Sequence, residues 1–262
     1  MDWVRNWQLW RHFCDYFPIK LVKTTELDPS KSYLLCSHPH GVLCVGAVGA
    51  FATTRGGFNQ LFPGIEARGL TLSVQFWFPL YRELIYFMGG VCASKRGIQS
   101  LLQGKKGKAA VLVPGGAKES LNGEKDKIRL VLNARKGFIK IALQTGASLV
   151  PTFSFGEQRT FDLISNPPGS RLRKVQDWFL SKSTVPLFFY MGRGVFQYSV
   201  GYLPFRESVH VVVGAPIPVI QTHSPTTEEV ELLHSQYVKA LMELYNNYNP
   251  MYGEVGVELV IE

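Results

Sequence analysis

From residue 32 to residue 54 the chain runs for 23 residues without a lysine, arginine, aspartate or glutamate. A stretch of that length either spans a membrane or is buried within a protein. Its middle decides: Ser37-His38-Pro39-His40-Gly41 sets polar side chains and a helix breaker where a span must be continuously apolar. The stretch therefore reads as a short buried strand over 31–36, a polar turn, and a small-residue helix over 42–54. The layout repeats downstream, where Ala109-Ala110-Val111-Leu112-Val113 is strand-like and runs into Pro114-Gly115-Gly116-Ala117-Lys118-Glu119-Ser120. Strand, turn and helix in that order is how α/β proteins display chemistry, so two reactive turns are expected at the ends of two strands.

Other periodicities extend this reading. Phe138, Ile139, Ala142 and Leu143 predict a helix within 135–146 that Gly146 stops, followed by a strand over 148–153. Residues 209–213 read as another buried strand. A last helix is expected from Ser224-Pro225, with Glu228, Glu229 and Glu231 near its positive end and Val230, Leu233, Tyr237, Leu241, Leu244 and Tyr248 on one face. With 262 residues, 46% hydrophobic and 18% charged, the chain excludes disorder and is expected to form a single domain over 1–262. Cys14, Cys36, Cys44 and Cys92 show no CxxC spacing, which favours reduced thiols in a cytosol-facing protein, and Met1-Asp2-Trp3 does not open a cleavable signal. The net charge of +8 is spread along the chain with no nucleic-acid-binding signature, leaving acidic small molecules or an anionic lipid surface as partners.

Ahead of the first strand, Trp3, Trp7, Trp10, Phe13 and Phe17 are spaced 4, 3, 3 and 4 apart on one helical face, with Arg5, Arg11, Lys20 and Lys23 within or just beyond it. Such a stripe suits the polar edge of a bilayer, where indoles stay half wet and cations meet lipid phosphates. It equally suits a helix packed on its own core. The expectation is an interfacial aromatic helix over 1–23.

His38-Pro39-His40-Gly41 is the tetrapeptide best suited to chemistry, because an imidazole accepts a proton near neutrality and a proline-braced turn holds it still. One histidine as general base, both as metal ligands, and both as turn-satisfying groups all remain open. His12, His210, His223 and His234 add no ligand spacing that would favour the metal. In the second turn, Gly115 and Gly116 let amides approach a developing oxyanion and Glu119 is a carboxylate able to orient a histidine, although a plain turn explains the segment as well. It lacks Walker A spacing. Lys136 and Lys140, with Arg129, Arg135, Lys105, Lys106 and Lys108, form a basic set fit for the phosphates of a ligand such as coenzyme A, or simply a solvated face.

Taken in order, Tyr16-Phe17-Pro18, His38-Pro39-His40-Gly41, Gly115-Gly116-Ala117-Lys118-Glu119-Ser120, Arg135-Lys136-Gly137-Phe138 through Gly146 to Leu149-Val150-Pro151, and Phe155-Gly156-Glu157 resemble the diacylglycerol acyltransferase type 2 family. That family includes the monoacylglycerol and wax-alcohol acyltransferases. The likeness continues through Gly192-Arg193-Gly194-Val195-Phe196, Leu203-Pro204-Phe205 and Val213-Gly214-Ala215-Pro216-Ile217, covering nearly the whole chain. It implies a glycerolipid-acyltransferase-like α/β fold, a mixed sheet flanked by helices, with an N-terminal amphipathic helix facing a membrane.

The resemblance also implies an acyl-CoA-dependent O-acyltransferase that acylates mono- or diacylglycerol in triacylglycerol synthesis. Acyl-CoA would be co-substrate, with no bound cofactor, metal or nucleic acid. The implied location is the cytosol-facing endoplasmic reticulum membrane or the lipid droplet, and a homo-oligomer is compatible with it. A wax synthase and a catalytically silent lipid-binding protein are the alternatives. Members usually carry one or two hydrophobic spans before Tyr-Phe-Pro. None is seen in this sequence, so the expectation is either a truncated isoform or a chain that holds the membrane by the aromatic stripe and other apolar surface. Related phospholipid-making enzymes use His-x4-Asp, but here Leu43 and Val45 stand at that spacing from His38 and His40. The family's block then implies Glu119 as the partner carboxylate. The implied site has His40 as base, Glu119 steadying its imidazolium, His38 shaping the turn or exchanging roles with His40, Gly115 and Gly116 near the oxyanion, and Arg135, Lys136 and Lys140 toward coenzyme A.

Overall fold

The computed structural model describes residues 2–122, 127–167, 169–253 and 256–262. In chain order the strands are β1 (Lys20–Lys23), β2 (Ser32–His38), β3 (Glu66–Thr71), β4 (Val91–Cys92), β5 (Lys108–Leu112), β6 (Lys127–Leu130), β7 (Ser148–Phe155), β8 (Asp162–Leu163), β9 (Tyr190–Met191), β10 (His210–Val213) and β11 (Glu258–Ile261). Seven form one sheet in the order β1-β10-β7-β2-β5-β3-β4, parallel at every pairing except β10 with β7. This is the expected mixed sheet.

The uncharged stretch supplies its centre. Every residue of β2 and of β7 is buried, the pattern of strands covered on both faces. Side chains of β2 alternate between two cores: Leu34 and Cys36 pack with Ile98, Ile139 and Tyr237, while Tyr33 and Leu35 pack with Val45, Phe51 and Phe58. The helices Lys95–Leu102, Gly137–Thr145 and Thr227–Tyr252 cover the first face. Gly146 ends the second of these at φ +70°, a backbone region that glycine adopts without strain. The last helix starts at a capping box, where the Thr226 hydroxyl accepts from Glu229 N–H and the Glu229 carboxylate accepts from Thr226 N–H. Because β2, β5 and β7 are parallel, their carboxyl ends, His38, Leu112 and Phe155, open on one edge of the sheet. Ligand sites of α/β sheets form at that edge.

Two expected helices are corrected. Over 42–54 the chain makes one α-turn, Val45–Ala47, continued by a π-helix, Val48–Ala52. Its end is held from outside: the buried Arg5 guanidinium donates to Phe51 O (2.9 Å) and Ala52 O (3.0 Å), carbonyls that a helix terminus leaves without partners. The aromatic stripe over 1–23 is not one helix. It divides into Asp2–Arg5 and Gln8–Tyr16, and Lys20–Lys23 then leaves the helix and pairs with His210–Val213. Pro18 accounts for the change of course, since its ring ends the helix ahead of it. The stripe divides in burial too: Trp10 and Phe17 are buried, with Trp10 Nε1 donating to Val4 O (2.7 Å), whereas Trp3 is 61% exposed and leans on Phe87. Among the described residues no helix is long and apolar enough to cross a membrane.

Candidate active site

Three strand ends build the site. The turn after β2 is clamped at both ends by buried carboxylates that grip its backbone. Glu119, from the turn after β5, accepts His40 N–H on Oε1 (2.8 Å) and Val131 N–H on Oε2 (3.1 Å). Glu157, from the turn after β7, accepts Val45 N–H on Oε1 and Gly46 N–H on Oε2, both at 2.7 Å. Each carboxyl is pushed up to about 7, chiefly because burial disfavours the ion, while the amide donors pull the other way. Gly41, at φ +58°, must lack a side chain, because a Cβ there would lie 2.7 Å from Glu157 Cγ.

Between the clamps sits His40. Its Nδ1 is 2.9 Å from Gly41 O, a distance a carbonyl tolerates only with a proton between, so the ring carries hydrogen on Nδ1 and its lone pair on Nε2. Cys44 Sγ lies 3.4 Å from the same nitrogen, and burial followed by Glu157 and Glu119 raises that thiol well above its ordinary value, keeping it neutral. Burial also lowers the His40 pKa. An unprotonated Nε2 on a fixed ring is what a general base requires.

His38 is in a different place. It is fully buried, Nε2 is 2.9 Å from Tyr237 Oη, and desolvation lowers its pKa to about 3. Its ring anchors the strand end to the last helix and is not placed to exchange roles with His40. Glu119 meets His40 as expected, but through the main chain. Its two oxygens serve His40 N and Val131 N, and the imidazole Nδ1 is served by Gly41 O. The reason is local: a Cβ on Gly115 would lie 1.8 Å from Glu119 Oε2, so Gly115 makes room for the carboxyl to fold back on its own turn. Gly116 N–H is engaged by Val113 O (3.2 Å), which removes it as an oxyanion donor. Of the basic set, Arg135 is exposed and lies near enough to Glu119 to favour its ion, Lys136 is paired with Glu231, and Lys140 is exposed on the helix Gly137–Thr145.

A cavity of about 280 Å³ opens beside the clamped turn. Pro39, Gly41 and Val42 form one wall, Glu119 and Ser120 another, and the run from Ser154 to Leu163 most of the rest, with Asn249, Gly253 and Val257 closing it. His40 is flanked by lining residues without being one, and Gly115, Gly116, Arg135, Lys136 and Lys140 do not line it either. Ser154 Oγ is buried in the wall with no hydrogen-bond partner among the described residues. Arg159, 3.4 Å from Glu207, puts a guanidinium there. Sequence reasoning gave no role to Glu157, Ser154 or Arg159. The signal was available, since Phe155-Gly156-Glu157 closes a third buried strand just as the two turns already singled out close theirs.

Comparison with known proteins gives the site a context. The family model described as Diacylglycerol acyltransferase matches residues 1–262. The 2-acylglycerol O-acyltransferase 1 of Bos taurus is 47% identical over 253 residues, 96% of this chain and 76% of that protein. Diacylglycerol O-acyltransferase 2 of Dictyostelium discoideum is 40% identical over 245 residues, 94% and 74% of the two chains. Among solved structures, the 1-acyl-sn-glycerophosphate acyltransferase PlsC of Thermotoga maritima superposes with a TM-score of 0.51 over 93% of this chain and 78% of its own, at 10% identity, a likeness of fold.

Proposed function

The chain belongs to the diacylglycerol acyltransferase family, and from that premise we propose that it transfers a fatty acyl group from acyl-CoA to a hydroxyl of mono- or diacylglycerol. In this reading His40 Nε2 takes the hydroxyl proton as the oxygen attacks the thioester carbonyl. The tetrahedral intermediate collapses by expelling the coenzyme A thiolate, and the imidazolium returns its proton to that sulfur. Acyl-CoA brings the activated acyl group itself, so the step draws on no other cofactor. Gly41 O holds the Nδ1–H side of the ring and stabilises the imidazolium, the part that the sequence had suggested for Glu119. Glu119 and Glu157 fix the turn, a positioning role, and Ser154 Oγ is a buried hydroxyl of the cavity wall with no hydrogen-bond partner among the described residues. The observation that carries the reading is the Nδ1–Gly41 contact, which leaves the lone pair of His40 on Nε2 within a rigid turn at the cavity wall.

The same proposal sets the enzyme at the cytosol-facing surface of the endoplasmic reticulum or a lipid droplet. Trp3, Trp7 and Phe87 are exposed, with Trp3 touching both of the others, and they would seat in the polar edge of a lipid layer. The test is transfer of labelled oleoyl from oleoyl-CoA to monoacylglycerol, diacylglycerol and fatty alcohol in separate assays. Ester product is expected with an acylglycerol, and His40→Ala is expected to lower the rate about 10²–10⁴-fold at an unchanged melting temperature. Full activity in the folded variant would remove His40 from the base role.

A further inference from the structure

Residues 190–203 form an antiparallel arm: β9 pairs with β8, and beyond it Gly192 N–H donates to Gly201 O (2.8 Å) while Arg193 and Leu203 exchange hydrogen bonds (2.8 and 3.0 Å). Its tip presents Val195, Phe196, Tyr198 and Val200 outward, with Phe196 100% exposed, and Tyr202 on the returning limb is 82% exposed. Apolar side chains so fully in water need a cover.

Three observations favour lipid as that cover. The tip satisfies part of its own backbone: the Gln197 side chain accepts from Ser199 N–H (2.7 Å) and Val200 N–H (3.0 Å) and donates to Val200 O, which lowers the cost of taking those three groups out of water. The segment 171–207 holds six basic residues against two acids, Asp177 and Glu207, with Asp162 paired to the arm at Met191, and Arg171, Lys174, Lys182 and Arg206 are exposed, a net positive charge that suits an anionic lipid surface. The arm also continues into the cavity wall: Phe161, a lining residue, packs on Tyr190 with ring centroids 4.7 Å apart, and Tyr190 lies 6.5 Å from Tyr202.

We infer that the arm of residues 190–203 inserts its tip into the lipid layer and is the door through which the acylglycerol passes, along Tyr202, Tyr190 and Phe161, into the cavity. The inference rests on the acyltransferase reading for its substrate, not for its lipid contact. The arm is fixed at its root, where Arg193 Nε donates to Tyr16 Oη (2.7 Å) and Tyr16 Oη donates to Pro204 O (2.5 Å), so an inserted tip keeps its relation to the cavity.

Two measurements test it. An NBD fluorophore is placed on Phe196→Cys, or as a control on Gln236→Cys of the last helix, in a chain whose Cys14, Cys44 and Cys92 are replaced by serine. Phosphatidylcholine–phosphatidylserine vesicles are expected to blue-shift the label at 196 and let acyl-chain nitroxide lipids quench it, and to leave the label at 236 unchanged. A label at 196 that stays in water on vesicle-bound protein overturns the inference, as does a shift driven by protein concentration without vesicles, which would assign the tip to a second copy of the chain. In the otherwise native chain, Phe196→Asp is expected to raise KM for diolein in vesicles about tenfold while leaving turnover of dissolved dihexanoylglycerol unchanged. Equal losses on both acceptors would make the arm merely structural. Should the parent chain turn over neither acceptor, the acyltransferase reading fails, and the fluorescence still decides where the tip lies.

Discussion

His38 and His40 stand two positions apart and meet opposite surroundings. His38 is sealed in the core, and its link to Tyr237 Oη is a bond in a dry interior. Tyr237→Phe keeps the aromatic packing on Phe138 and leaves His38 Nε2 alone, a loss of about 1–3 kcal/mol and so roughly 2–12 °C in melting temperature by calorimetry. An unchanged melting point would show that the bond contributes nothing. His40 titrates within the turn, and because burial lowers its pKa, the acid limb of kcat/KM is expected below the ordinary value of 6.5, with the rate rising as pH rises through it. A limb above 6.5 would assign the control to a carboxyl instead. Residue types revealed this much in advance: an imidazole at a strand end and an acid near it. Their wiring was not legible, because whether Glu119 meets a ring or an amide depends on the fold-back that Gly115 permits, and spacing carries no trace of it.

Between elements, the short helix after β2 approaches β7 and β10 closely. A Cβ on Gly46 would lie 2.6 Å from Ser154 Oγ and 3.0 Å from Val211 Cγ2, so Gly46→Ala is expected to cost about 1–3 kcal/mol in urea unfolding and to drag Gly46 N–H off Glu157. Adding Ser154→Gly is expected to recover part of it, and independent effects would refute the steric explanation. Elements with a strong period were legible. The runs that became β2, β5, β7 and β10 lie close to their expected positions, as do the helices ending at Gly146 and beginning at Thr226. The π-helix was not, because its pitch answers to Arg5 reaching across from 46 residues upstream. Nor was β1, whose four residues Lys20–Lys23 become a strand only because His210–Val213 lies beside them.

For the whole molecule, the two buried carboxyls make stability depend on pH. Glu119 and Glu157 titrate near 7 in the fold and near 4.5 in the open chain, so between those values the fold retains protons that the unfolded chain releases. Their contribution is complete below pH 4.5 and lost as pH rises through 7. Burial of His38 and His40 acts in the opposite sense up to about 6.5. The difference between parent and Glu119→Gln isolates the carboxyl: the melting temperature of the variant is expected to gain on the parent steadily from pH 5 to 7.5. A constant offset would mean that Glu119 titrates in the fold as it does in water.

The cavity takes Pro39 for one wall and Asn249, Gly253 and Val257 for another. A chain in which the helix Thr227–Tyr252 has yet to dock therefore holds a basin open on that side. The sheet alone does not complete the cavity, whose enclosure depends on Pro39 and Asn249 being brought together from distant parts of the sequence.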